Sequence, residues 1–203
     1  IFKKLILEKP NDFILIANFA NFKKKIKDFK SAVELYEDAV KKSNSQPFIM
    51  NDLAKIYLNI GQFEQSKKTY EKIIEKIPLS TDAHISLSRL TNYSQDQKHL
   101  KKMIEIYKNS NLAELEKGVI AFGISKAYED LNDFKMSFSY FKDANNLIDK
   151  NLNYNFNNEQ KLFNSIKKNF ETFVDFEIAE KYNDKKIIFV CGLPRSGTTL
   201  VEQ

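Results

Sequence analysis

The chain repeats itself at a spacing of 34 residues, and no other feature restricts its fold as strongly. Asp28 to Val40, DFKSAVELYEDAV, aligns with Gln62 to Ile74, QFEQSKKTYEKII. Phe29 meets Phe63, Ala32 meets Ser66, Tyr36 meets Tyr70 and Ala39 meets Ile73. A third copy, DFKMSFSYFKDAN from Asp133 to Asn145, repeats Phe134, Ser137, Phe141 and Ala144. Each copy follows another amphipathic segment. Leu53, Ala54 and Tyr57 share one face ahead of Gly61, and Ile124, Ser125 and Tyr128 do the same before the third copy. Apolar spacings of 3, 4 and 7 mark helices with a single buried stripe. Small residues at Ala32, Ala54, Ser66, Ser125 and Ser137 fall where two helices must come close, and aromatics at the facing positions fill the remaining volume. One such unit cannot bury its stripe alone, so the units must stack.

These positions resemble the tetratricopeptide repeat, a helix–turn–helix unit with small, aromatic and Pro positions at these offsets. Residues 47–80 match best, through Leu53, Ala54, Tyr57, Gly61, Ser66, Tyr70 and the closing Pro78. Residues 13–46 match mainly in their second helix, with Lys23 where an aromatic is usual. Residues 81–117 depart from the pattern: Leu87 and Ser88 are present, but the turn NYSQDQKH is irregular. Residues 118–151 match well again. The resemblance implies a mainly α chain, with a helical solenoid of about four repeats over residues 1–151 and the third one degenerate. It also implies a partner, because such arrays hold an extended peptide along a concave face lined by their first helices. Projected onto this chain, that face selects Asn21, Lys24, Asn51, Lys55 and Lys126. Three lysines suit an acidic peptide, held by an attraction that salt weakens.

Composition excludes several alternatives. With 42% hydrophobic and 29% charged residues the chain is globular, and 203 residues suffice for one large domain or one domain plus part of another. Only 5 Gly and 4 Pro favour long helices with short connections. The net charge of +5 is spread, with Lys alternating with Glu and Asp along helix faces, so no nucleic-acid footprint is expected. The single cysteine, Cys191, excludes a disulfide within the chain and is compatible with a reducing compartment, so a cytoplasmic location is expected. No apolar run approaches the roughly 18 residues of a membrane span. Because the sequence opens on Ile rather than Met, the natural N-terminus is expected to be missing. Residues 152–184 read as a capping and linking element, with a helix from about Glu159 to Phe173 whose apolar face is Leu162, Phe163, Ile166, Phe170 and Phe173.

The last nineteen residues, 185–203, break the pattern. Ile187, Ile188, Phe189, Val190 and Cys191 run without alternation, as in a strand buried on both faces. Gly192-Leu193-Pro194-Arg195-Ser196-Gly197-Thr198-Thr199 follows, then LVEQ, a helix opening. Strand, Gly-bounded turn and helix start aim backbone N–H groups and a positive helix end at an anion. A nucleotide triphosphatase loop is excluded because Thr198 stands where its lysine belongs, and a tyrosine-phosphatase loop because Arg195 is four residues after Cys191. GLPRSGTTL instead resembles the 5′-phosphosulfate-binding loop of sulfotransferases that use 3′-phosphoadenosine 5′-phosphosulfate (PAPS), most closely protein-tyrosine sulfotransferases and their bacterial relatives. That resemblance implies an α/β domain beginning at residue 185 and cut short, with PAPS as sulfuryl donor and no metal. Arg195, Ser196, Gly197, Thr198 and Thr199 would cradle the cofactor, and Arg195 would stabilise the leaving group. The general base and the 3′-phosphate site would lie downstream. The intact protein is then expected to be an enzyme acting on a hydroxyl acceptor, protein tyrosine by preference, and this chain alone inactive. The alternative is a repeat module that binds protein and carries a vestigial phosphate loop.

Overall fold

The computed structural model describes residues 1–109, 111–152 and 154–171, and every regular element among them is a helix. The chain divides into two units, Ile1–Asn153 and a second beginning at Tyr154. In the first, α1 (Phe2–Glu8) precedes four helix pairs: α2 (Phe13–Lys25) with α3 (Phe29–Lys42), α4 (Pro47–Asn59) with α5 (Phe63–Lys76), α6 (Thr81–Leu90) with α7 (Lys98–Lys108), and α8 (Glu114–Asp130) with α9 (Phe134–Asp149). This unit is an all-helical solenoid of stacked helix pairs, as the repeat spacing predicts. The second unit contributes α10 (Phe156–Glu171), which begins three residues ahead of the helix expected from the apolar spacing. The expected strand at 187–191 and loop at 192–199 lie outside the described residues.

Local chemistry sets the helix ends. Asp12, Asp28 and Asp133 cap α2, α3 and α9, each accepting the backbone N–H three residues on at 3.0, 3.3 and 3.0 Å. Carboxylates are favoured there because they satisfy an orphan donor and meet the positive helix end. Pro47 opens α4, where its missing N–H costs nothing. The turns inside the pairs are copies of one another. Lys27, Gly61 and Asn132 adopt left-handed φ values of 61°, 77° and 59°. The next N–H in each turn reaches back to a helical carbonyl: Asp28 to Lys23, Gln62 to Tyr57 and Asp133 to Tyr128, at 3.0, 2.8 and 3.0 Å. This closure satisfies the last carbonyls of the first helix and reverses the chain.

The buried interior follows the repeated positions. One cluster joins Ile16 and Ala20 of α2 to Ala32 and Tyr36 of α3 and to Ile49 and Leu53 of α4. The next joins Met50 and Ala54 of α4 to Tyr70 and Ile73 of α5 and to Leu87 of α6. A third gathers Tyr93, Leu100, Met103, Ile120 and Ile124. Here the stacking departs from the pattern. In the regular pairs the second helix packs along the first, whereas α6 and α7 both take α8 as their principal neighbour.

Candidate functional site

The repeat offset determines which residues hold equivalent places on successive first helices. Ala20, Ala54, Ser88 and Ser125 are buried small residues of α2, α4, α6 and α8. The residues that follow them are Asn21, Lys55, Arg89 and Lys126. Lys55 and Arg89 are exposed, and Asn21 and Lys126 are half-buried. Three consecutive first helices therefore carry a cation at one register position. The steps are 89 − 55 = 34 and 126 − 89 = 37, the second lengthened by the irregular turn.

Arg89 and Lys126 line one open cleft of about 590 Å³, together with Thr91, Asn92, Asp130 and Asn132. The two cations are held differently. Lys126 Nζ donates to Asp130 Oδ2 at 2.6 Å and to the Thr91 carbonyl at 2.5 Å, and it sits 5.2 Å over the Tyr93 ring. Asp130 Oδ2 also accepts the Tyr93 N–H at 3.1 Å. Lys126 thus straps the segment after α6 onto α8, and much of its charge is neutralised locally. Arg89 enters no ion pair among the described residues.

Of the five positions expected on the concave face, Lys55, Lys126 and Asn21 share this register, and the structure sets Lys126 in the cleft beside Arg89. Asn51 precedes Lys55 by one turn and Lys24 follows Asn21 by three residues, both half-buried. Arg89 is absent from the expected set, although its distance from Lys55 equals the repeat length. The irregular turn after it hides the third repeat from self-comparison. Arg195, Ser196, Gly197, Thr198 and Thr199 lie outside the described residues.

A second cleft, of about 610 Å³, opens between α5, α6 and α7, with Glu71, Glu75, His84, His99, Lys102 and Glu105 in its lining. It exposes one side of a hydrogen-bonded chain that periodicity does not reveal. His84 Nε2 lies 2.9 Å from the Pro78 carbonyl, His84 Nδ1 lies 2.9 Å from His99 Nε2, and His99 Nδ1 lies 2.6 Å from the Tyr93 hydroxyl. A carbonyl only accepts, so His84 must carry its proton on Nε2, leaving Nδ1 as acceptor. His99 must then donate from Nε2 and accept at Nδ1 from the Tyr93 O–H. Every bond in the chain therefore points toward Pro78. Burial holds both imidazoles below the usual histidine range. For His99 the neighbouring His84, Lys102 and Lys67 push the same way, while for His84 the Pro78 carbonyl opposes the shift. Burial also pushes the Tyr93 phenol well up.

Comparison with known proteins places this geometry. The family model described as tetratricopeptide repeat matches residues 27–90. A protein of Aquifex aeolicus (strain VF5), described only as uncharacterized, is 23% identical over 177 residues, which cover 85% of this chain and 22% of that relative. The chain thus spans about a fifth of the length of the curated relative it matches. The crystal structure of MamA superposes with a TM-score of 0.56 at 18% identity, covering 75% of this chain and 88% of that one. A Podosopora anserina kinesin light chain with nearly identical TPR-like repeats superposes at 0.58 and 13%, covering 75% and 86%. These findings overturn the sulfotransferase expectation. Family model and fold both identify tetratricopeptide repeats, and neither supports a catalytic domain. The enzymatic reading rested on a short C-terminal motif, whereas the repeat reading rests on packing along most of the chain.

Proposed function

We propose, from the premise that residues 27–90 are tetratricopeptide repeats and that the surrounding unit has their fold, that this chain is a protein-binding module. Its partner is an extended acidic segment laid across the first helices. The observation that carries this reading is the equivalence of Lys55, Arg89 and Lys126 on three successive first helices, with Arg89 exposed and without a counter-ion among the described residues. Cations spaced by one repeat match an extended chain, which advances a few ångströms per residue and can meet them in turn. Lys55 and Arg89 supply the free charge. Lys126 shapes the cleft by holding the Thr91 carbonyl and Asp130 at its edge. Fluorescence anisotropy of labelled Asp/Glu-rich and Lys-rich peptides against the full chain tests this. The acidic peptide should bind and lose affinity as salt rises, and Lys55→Glu with Arg89→Glu should weaken it about tenfold or more, through lost attraction and new repulsion. Equal binding of both peptides, or an unchanged affinity in the charge-reversed variant, overturns it.

A further inference from the structure

We propose that the third repeat is a proton-sensitive joint. The chain Tyr93–His99–His84–Pro78 ties α7 to α6 while both imidazoles are neutral, and loosens it when either takes a proton. The first support is positional. Pro78 closes the second repeat, His84 lies on α6, Tyr93 in the connection and His99 on α7, so one run of hydrogen bonds spans the seam. Because α6 and α7 pack principally on α8 rather than along each other, this seam depends on the polar run more than the regular pairs do. Its end, Tyr93, belongs to the same connection whose Thr91, Asn92 and Ser94 line the Arg89–Lys126 cleft.

The second support is the direction of the bonds. If His84 gains a proton at Nδ1, it must donate to His99 Nε2, which moves the His99 proton to Nδ1 and turns it toward Tyr93. If His99 gains the proton at Nδ1, it likewise faces the phenol as a donor. In either case the Tyr93 oxygen becomes an acceptor and its O–H loses His99. Tyr93 is fully buried, so its O–H must then turn to the Thr91 hydroxyl oxygen, which donates to the Leu87 carbonyl and keeps its lone pairs for accepting. One proton therefore disturbs three groups, and a second would place two cations 2.9 Å apart. The charges around the run are mixed. Lys67 of α5 and Lys102 of α7 oppose protonation, as does burial. Glu71 and Glu75 of α5, with Asp96, Lys98 and Glu105 of the α7 side, line the cleft above the rings, and Asp130 and Lys126 of α8 flank Tyr93.

The sign follows from linkage. Imidazoles depressed in the fold confer stability that is complete above the unfolded value near 6.5 and is lost as pH falls below it. Between pH 7.5 and 5 the folding equilibrium constant should fall about 30-fold for each histidine kept neutral. Nothing in this joint depends on what occupies the groove.

The test uses the full chain. Imidazole ¹⁵N spectra at pH 7.5 should show both rings protonated at Nε2. On acidification to pH 5, amide protection corrected for intrinsic exchange should drop in α7 and be kept in α3 to α5. Urea unfolding should show the expected loss in the wild type and at least tenfold less of it in His84→Gln combined with His99→Gln, since Gln donates and accepts without titrating. An Nδ1–H tautomer on either ring, or titration of both rings near 6.5 with α7 still protected, overturns the proposal. So does a parallel loss of stability in wild type and variant. If the double variant does not fold, the spectra and the exchange of the wild type decide.

Discussion

Ser66 Oγ donates to the carbonyl oxygen of Ala54 at 2.9 Å, across the α4–α5 contact and with both residues fully buried. The fourth repeat makes the same kind of link with the roles exchanged: Ser125 of α8 donates to the Ser137 carbonyl of α9 at 2.8 Å. Small residues at these places let the helices approach, and a hydroxyl adds a directional bond to the contact. Ser66→Ala should cost about 1 kcal/mol, the net value of one hydrogen bond, while Ser66→Leu should cost about 3 kcal/mol or more by overpacking. Chemical denaturation of the two variants checks the order, and a Leu variant as stable as the Ala variant would show the contact to be loose.

The α8–α9 contact is tighter still. A Cβ at Gly118 would stand 2.8 Å from Ile148 Cγ1 and 3.2 Å from the Ala144 carbonyl oxygen. Gly123 would meet the Met103 sulfur at 3.0 Å and the Ser88 hydroxyl at 3.3 Å, contacts that a shift of a few tenths of an ångström in an unbranched thioether relieves in part. Gly118→Ala is expected to destabilise by roughly 1–3 kcal/mol. Gly123→Ala should stay within about 1 kcal/mol of wild type, because the gain in helix propensity offsets the displacement of Met103. Thermal melts of the pair decide it.

The left-handed turn residues make opposite predictions by position. Gly61 has open space around it but a φ of 77°, so Gly61→Ala should lose about 1 kcal/mol through backbone strain alone. At Lys27, with φ 61°, the strain is already present, and Lys27→Gly should leave stability equal or slightly higher. A large loss at Lys27 would show that its side chain contributes more than its backbone conformation.

Arg89 and Lys126 share a cleft but should separate in their effects. Removing Lys126 leaves Asp130 without its cation and the Thr91 carbonyl without its donor, so Lys126→Met is expected to destabilise by about 1–3 kcal/mol. Arg89→Met should change stability by no more than about 0.5 kcal/mol while weakening any acidic partner. Urea titration beside peptide binding, on the same two variants, measures both.

Asp28 shows how a cap and an ion pair are combined. Its carboxylate accepts the Ser31 N–H at 3.3 Å and the Lys23 ammonium at 2.6 Å, and the Lys23 contact, first, and then Ser31 hold it below the usual carboxylate range. Asp28→Asn should keep the cap and lose the ion pair, a small change at this half-buried surface site, whereas Asp28→Ala should lose both and lower the melting temperature measurably more. Lys23, which interrupts the aromatic pattern of the first repeat, thereby acquires a local reason.

What the sequence by itself determined is the local level and its repetition. Helix periodicity, Asp caps, Pro47, Gly61 and the small residues at 32, 54, 66 and 125 act within a few residues or at a constant offset, so they can be read without coordinates. GLPRSGTTL was legible in the same local way, yet a short motif says nothing about the domain around it, and the enzymatic reading drawn from it gave way to the repeat fold. Tertiary structure alone decided what happens in the third repeat. His84 and His99 are 15 residues apart with no periodic relation, and Arg89 and Lys126 are 37 apart across an irregular turn. Their meeting depends on α6 and α7 both packing on α8, a competition among packing surfaces of similar chemistry that residue spacing does not encode.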